Sequence, residues 1–396
     1  MQIRPVNRKV SFMKIQTIDL FAELFEKEYG LPDIFAELQF DKKNTTQDPL
    51  SLKKNFSSAY YLKFVPDYME FPLVSESLFH CEKLVHVKGY SIKLDNFTDV
   101  NGYIKNQFKS NAKTILRYVN RLESCFNIDY KMFYGQIDKD IYNFIMDSLF
   151  NMMQKRFGQL QIKNESEAKW EHTRTILYDL ILKKRASLFV IYSGSKPIEI
   201  SINYHFKGIL FSSISSYDID YSKFGLGHVE IVKQLEWCLA NNHKIFEMGR
   251  GDLDYKRRWS NQIYNFEHHI FFKKSSLYGK LWSIRLKWIH LIKLYLKSKN
   301  IDQVYKKLKS RLTHTRDMNI KPIDCNIEII DSLPPLDNLV TIDIQLEDNS
   351  FLRKYVYDFQ YSHIVHETQV EIFRLEQENT YIIKGDKASV KIYLEN

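Results

Sequence analysis

The chain of 396 residues holds only four cysteines, Cys81, Cys125, Cys238 and Cys325, far apart and with no C-x-x-C pair. That excludes a zinc ribbon or a disulfide framework and fits a reducing compartment. Nowhere do 18 apolar residues run together, so no membrane-spanning helix is expected. The opening MQIRPVNRKVSFMKIQTIDLF lacks the continuous apolar stretch of a secretory leader. These absences together predict a cytoplasmic protein. No internal repeat or low-complexity tract occurs. The glycine fingerprints of dinucleotide and P-loop sites are missing too: there is no G-x-G-x-x-G and no G-K-[ST].

What is present is an ordinary globular composition, 44% hydrophobic and 27% charged, rich in Phe (27) and Tyr (25). The net charge of +9 is unevenly spread. Lys273 to Arg316 carries +12, Asp317 to Asn396 carries −8, and the rest +5, so the basic character belongs mostly to one segment.

Periodicity outlines the elements. Thr17 to Gly30 reads as a short helix with Leu20, Leu24 and Phe25 on one face. Lys83 to Leu94 alternates as a strand. In the helix that follows, Ile115, Leu116, Val119 and Leu122 fall at helical spacing, and Lys109, Lys113, Arg117 and Arg121 recur every four residues on another face. Beyond the strand Ile128–Ile137 comes a helix expected to turn Ile141, Phe144, Ile145, Leu149 and Met152 inward. A second helix follows, then strands SLFVIYSG, KPIEISINYHF and GILFSSISSYD, a helix Val229–Asn241, a strand Lys244–Met248, a short helix and the strand NFEHHIFFK. The order β-α-α-β-β-β-α-β-α-β predicts an α/β protein with a mixed sheet and helices on its faces.

Gly225 and Gly227 open the helix after the third of those strands. Each glycine inside a helix costs roughly 1 kcal/mol against Ala, so the pair calls for a reason. Free N–H groups and the positive end of the dipole at a helix start hold anions, and glycine lets a phosphate reach the backbone. Lys223, Phe224, Gly225, Leu226, Gly227 and His228 are therefore the candidate cradle for the pyrophosphate of a nucleotide-bearing cofactor. The alternative is a strand-to-helix turn with no ligand.

The order of elements and these residues resemble the GNAT acyltransferases. Ser222-Lys223-Phe224-Gly225-Leu226-Gly227 is similar to that family's acyl-CoA pyrophosphate loop, with Ser222 where the family has a basic or amide residue. Tyr217-Asp218 before the loop, FEMGRGDLDYKRRW from Phe246, and the basic helix KSNAKTILRYVNRLE upstream resemble the Fem-like double-GNAT branch and its polysaccharide-associated acetyltransferase relatives. The likeness covers roughly residues 84–273. It implies a degenerate N-terminal GNAT-like half (1–98), a GNAT acyltransferase domain (99–273), a basic amphipathic helical segment (274–318) and a small β-rich tail (319–396), expected to be an all-β appendage.

The resemblance implies acyl transfer from acetyl-CoA or another acyl-CoA to an amine or hydroxyl, with a small molecule or a glycan precursor as acceptor and no metal. By position, Tyr255 would be the acid that protonates the leaving thiolate, and Lys256 would neutralise cofactor phosphate or orient substrate. Glu199 and Glu247, carboxylates on strands facing a cleft, are the candidate bases; either is otherwise a solvent-face residue. His205, beside a hairpin turn, reads as structural. Asp218, Arg250 and Asp252 are candidate substrate contacts, with turn-capping the alternative for the two acids, and Arg257 is a further anion contact. The helix 277–297 sets Trp282 and Trp288 among Lys280, Arg285, Lys287, Lys293 and Lys297, suiting a membrane surface or an acidic partner; packing on the catalytic domain is the alternative. Two further readings stay open: a Fem-like transferase of cell-wall synthesis using aminoacyl-tRNA, which alone would bring in nucleic acid, and an inactive scaffold of the same fold.

Overall fold

The computed structural model describes residues 15–27, 30–36, 38–40, 44–45, 57, 59–75, 78–160, 170–299, 325–330, 334, 339–375 and 379–394. The chain divides into two compact units, Met1–Ser91 with Met248–Thr315, and Ile92–Glu247 with Arg316–Asn396. Composition shifts do not mark this division, because the chain leaves the first unit and re-enters it in the middle of a strand. Residues 300–318, the end of the expected basic segment, lie outside the described residues.

In the first unit, strands β1 (Ile15–Asp19), β2 (Ala59–Pro66), β3 (Phe79–Lys93) and β9 (Gln262–Lys273) lie in the order β1-β2-β9-β3. β1 runs parallel to β2, and the other pairings are antiparallel. The helix expected over Thr17–Gly30 is corrected here. Residues 15–19 are a strand, and only Ala22–Glu26 coil, as a single π-helical turn. Edge pairing with Ala59–Lys63 takes the first residues, and Asp19 Oδ1 caps the turn by accepting from Phe21 N–H at 3.1 Å. Helix α7 (Leu277–Ser298) lays Trp282 and Leu286 on a core of Ala59, Leu84, Ile270 and Phe272.

The second unit holds a five-stranded stretch of mixed sheet in the order β8-β7-β6-β5-β4: β4 (Ile128–Phe133), β5 (Ala186–Ser193), β6 (Lys196–Phe206), β7 (Ile209–Tyr217) and β8 (Ile245–Arg250). Only the β7–β8 pair is parallel. Every residue of β6 from Pro197 to Phe206 is buried, so both faces of the strand are covered. Ile198, Ile200, Ile202 and Tyr204 point one way, and Glu199, Ser201, Asn203 and His205 the other. Helices α1 (Val100–Phe108) and α2 (Ala112–Cys125) pack with α5 (Leu226–Ala240), while α3 (Lys139–Leu160) and α4 (Trp170–Leu182) pack against strands. α2 buries Ile115, Val119 and Leu122, as its spacing requires. In α3 the inward set is corrected in part: Ile145, Leu149 and Met152 are buried as expected, whereas Ile141 and Phe144 are exposed and Tyr142, Met146 and Met153 join the buried face. The Tyr142 hydroxyl is satisfied by donating to Arg174 O at 2.6 Å.

The C-terminal appendage has an antiparallel sheet ordered β10-β14-β13-β12-β11, made of β10 (Cys325–Ile330), β11 (Leu339–Thr341), β12 (Glu371–Leu375), β13 (Thr380–Lys384) and β14 (Ser389–Leu394). It is not all-β: helix α8 (Arg353–His363) interrupts it. α8 buries Val356, Tyr357 and Phe359 and docks on the rest of the unit, contacts no local alternation pattern announces.

Candidate functional site

The loop before α5 is built from side chains that cap and brace it. Asp218 accepts from Asp220 N–H at 3.1 Å and from Lys196 Nζ at 2.6 Å, starting a 3₁₀ turn, Ile219–Phe224. Gly225 ends that turn and begins α5 with φ +63°. A Cβ there would lie 2.7 Å from the Tyr118 ring, which stacks on His228 at 5.3 Å and 13°. Gly225 therefore satisfies a left-handed turn and a close aromatic approach at once. Gly227 is different: it sits in the first helical turn, and the direction of its missing Cβ is open. His228 and Val229 N–H both go to Gly225 O. Among the described residues no acceptor meets the N–H groups of buried Leu226 and half-buried Gly227, so the start of α5 at Gly227 offers a donor and the positive end of its dipole.

Of the other predicted loop residues, Phe224 turns inward and Lys223 stays exposed. Phe224 is fully buried, against Phe126 at 5.2 Å and Tyr361 of α8 at 5.1 Å. Lys223 pairs with Asp358 of α8 at 3.5 Å, and Tyr221 packs on Tyr357 at 4.4 Å. Through these contacts the appendage braces the loop. Beside Tyr118 on α2, Lys113, Arg117 and Arg121 line a groove of about 420 Å³ with Leu116, Asn120, Ser124 and Ile364. Arg121 donates to Tyr361 O at 3.1 Å across that ring.

Beneath α5 lies an acid pair. Glu199 of β6 is fully buried, and Glu230 of α5 nearly so. Gln234 Nε2 donates to Glu230 Oε1 and to Ser201 Oγ, both at 2.9 Å. Burial, reinforced by the Glu230 charge, holds Glu199 well above the usual carboxylate range. Burial also pushes Glu230 up to about 7, against hydrogen bonds from Ser201 and Ser215 and the charge of Arg156. Neither Glu199 oxygen meets another donor among the described residues, so a proton shared between the two acids is what satisfies both. His205, the next-but-two alternate position on β6, bonds Ser187 Oγ at 2.8 Å and His243 at 3.0 Å, and burial lowers it to about 3. Its structural reading stands. Glu247 is buried on β8 opposite Phe211. Sequence reasoning missed Glu230, although two polar residues at i and i+4 among the apolar positions of α5 were the available signal.

The polar run Gly249–Lys256 belongs to the first unit. Gly249 and Gly251 take φ +71° and +108°, which close a turn. Lys256, buried in the short helix α6 (Asp254–Trp259), donates Nζ to Met248 O at 2.5 Å and Arg250 O at 2.9 Å. Those carbonyls give the lysine a bracing role in the turn. Lys256→Met is expected to cost about 2 kcal/mol by stranding them, and urea melts should show it. Tyr255 is exposed. Asp252 accepts from the Tyr90 hydroxyl and from Arg257 Nη1 at 2.7 Å, and the Tyr90 bond lowers its pKa. Arg250 lies over the Phe64 ring at 4.2 Å.

Residues 109–257 match the family model described as the acetyltransferase (GNAT) domain. This segment is a GNAT domain. It contains α2, the acid pair and the α5 loop. No curated protein matches the sequence. Among solved structures, L-PGS from Bacillus licheniformis is 11% identical at TM-score 0.37, covering 59% of this chain and 72% of that one. FemX is 8% identical at TM-score 0.37, covering 54% and 72%. A conserved protein of unknown function from Bacteroides thetaiotaomicron is 7% identical at TM-score 0.37, covering 54% and 70%. At these scores the superpositions carry no argument about chemistry.

Proposed function

We propose that the GNAT domain takes an acyl group from acyl-CoA, with acetyl-CoA the expected donor, and passes it to an amine or hydroxyl. The observation that carries this reading is the start of α5, where the Gly227 N–H meets no acceptor among the described residues and the missing Cβ of Gly227 leaves room for a pyrophosphate. Lys113 and Arg117, which line the basic groove on α2, are assigned to supply further positive charge to the phosphates. Glu230, poised near neutrality, is suited to receive the proton that the acceptor loses, and Glu199 holds it there. A sugar precursor of a surface polysaccharide is the proposed acceptor.

The reading also includes contact with an anionic membrane surface. On α7, Leu281, Trp288, Ile292 and Tyr295 are exposed beside Lys280, Arg285, Lys287 and Lys293. Among the described residues no helix is long and apolar enough to cross a membrane.

The basic groove favours one competing donor, aminoacyl-tRNA. Calorimetry separates the two. Saturable acetyl-CoA binding, weakened by Lys113→Ala/Arg117→Ala, is the expected result. Absence of acetyl-CoA binding, with tRNA binding that falls steeply as salt rises, would replace the acyl-CoA reading.

A further inference from the structure

Away from the GNAT domain's acid pair and helix start, three histidines of the first unit converge. They are His86 on β3, His268 on β9 and His290 on α7, and one ring nitrogen from each lies within 4.8 Å of the others. His268 and His290 are buried and His86 is half-buried. We propose that these three imidazoles form a binding site for a late first-row divalent cation, zinc above all, that clasps α7 to the sheet.

Two irregularities of the sheet assemble this cluster. Phe266 pairs with Val87 and Glu267 with Val85, so His86 is the extra residue of a β-bulge. On the other side of β9, Glu267 pairs with Val65 and His269 with Leu62, a second bulge opposite His268. Bulges re-aim side chains and gather at functional sites. Within the second bulge Phe64 takes φ +57°, a left-handed conformation that is an outlier for a bulky residue. That backbone aims the Phe64 N–H at His268 Nδ1, 3.3 Å away. Left-handed backbone on one neighbouring strand and the extra residue of a bulge on the other thus meet at the same three rings.

The surrounding chemistry suits a cation held by nitrogen. His290 Nε2 must donate to Val85 O at 2.7 Å, because a carbonyl only accepts. Its Nδ1 therefore carries the lone pair, the arrangement in which a ligating imidazole is oriented by a backbone carbonyl. Coordination through His268 Nε2 would move that ring's proton to Nδ1, and coordination through Nδ1 would replace the Phe64 contact. Either way the ion displaces one long hydrogen bond. Zinc–nitrogen bonds of about 2.0–2.1 Å place tetrahedral ligands roughly 3.3 Å apart, so the nitrogens, now within 4.8 Å of one another, need to approach by up to about 1.5 Å. Phe64 and Tyr61 wall the site, their rings 5.2 and 5.4 Å from His268. Three ligands leave a fourth position for water. Imidazole donors without carboxylates favour zinc and its neighbours over magnesium or calcium. The three residues are 182 and 22 positions apart in sequence, so no ligand spacing announces them and the sequence reading assigned no metal.

The test uses the full chain without an affinity tag, stripped with chelator and titrated with cobalt(II). The expected result is one equivalent bound, with the intense visible bands of four-coordinate cobalt, displaced by zinc. His86→Gln and His290→Gln should each weaken binding about a hundredfold or more, whereas His172→Gln, on exposed helical surface, should not. Zinc should raise the melting temperature of the wild type by a few degrees, and not that of His86→Gln. No cobalt spectrum in the wild type, or a spectrum that survives in His86→Gln, overturns the proposal. Should His290→Gln fail to fold, the wild-type titration and half-buried His86 still decide it.

Discussion

Glu230→Gln is expected to make the protein more stable than wild type near pH 8, by about 3 kcal/mol, and to leave stability unchanged near pH 4. Folding raises the carboxyl pKa from 4.5 to about 7. Between those values the folded protein therefore binds more protons than the unfolded chain. Stability falls as pH rises through that window, because the fold must either keep an unfavourable proton or bury a charge beside Glu199. Glutamine keeps the acceptor for Gln234 and supplies a permanent donor toward Glu199, so the pH dependence of the pair should shrink. Urea melts from pH 4 to pH 8 measure this directly. Equal slopes in variant and wild type would show that the pair is not coupled to folding. The same variant should lose activity if Glu230 accepts the acceptor's proton, giving a variant that is stabler and less active.

Gly225→Val is the second large effect. A β-branched residue at φ +63° is strained, and its Cβ would enter the Tyr118 ring. Together these should cost about 3 kcal/mol. Tyr118→Ala in the Gly225→Val background should recover part of the loss, by removing the clash while the backbone strain remains. Gly225→Asn should be milder, since asparagine tolerates the left-handed region. If Gly225→Val melted like wild type, the turn would not have the conformation described here.

Much of this architecture is legible in the sequence because it is local. The apolar face of α2, the three hairpin-linked strands β5 to β7 and the helix after the Gly225 loop follow from period, turn residues and glycine position. Errors arise where distant chain competes. Thr17–Asp19 has a helical pattern but is taken by edge pairing with Ala59–Lys63. The sequence IEISINYH alternates like a half-exposed strand, and only α5 lying on its polar row makes Glu199 a buried acid with a buried partner. The glycine pair was read as one device and is two: Gly225 serves the turn, and Gly227 leaves space. Lys256 is expected from its position to neutralise cofactor phosphate or orient substrate, and in the fold it is buried with Met248 O and Arg250 O as partners, carbonyls of the turn it closes. Asp218 shows the alternative reading at work, as a cap and partner of Lys196. The tail's charge stood out, but its docking through Tyr357, Asp358 and Tyr361 depends on aromatic contacts more than 130 residues away in sequence.

Acetyl-CoA calorimetry on Gly227→Asp, with Gly227→Ala as control, decides whether the start of α5 is an anion cradle for acyl-CoA. A carboxylate in the first turn favours the helix dipole and meets open space, so Gly227→Asp should fold and melt at or above the wild-type temperature. It should nevertheless weaken acetyl-CoA binding about a hundredfold, and Gly227→Ala should weaken it far less. Acetyl-CoA binding equal to wild type in the aspartate variant would contradict the cradle and the donor together.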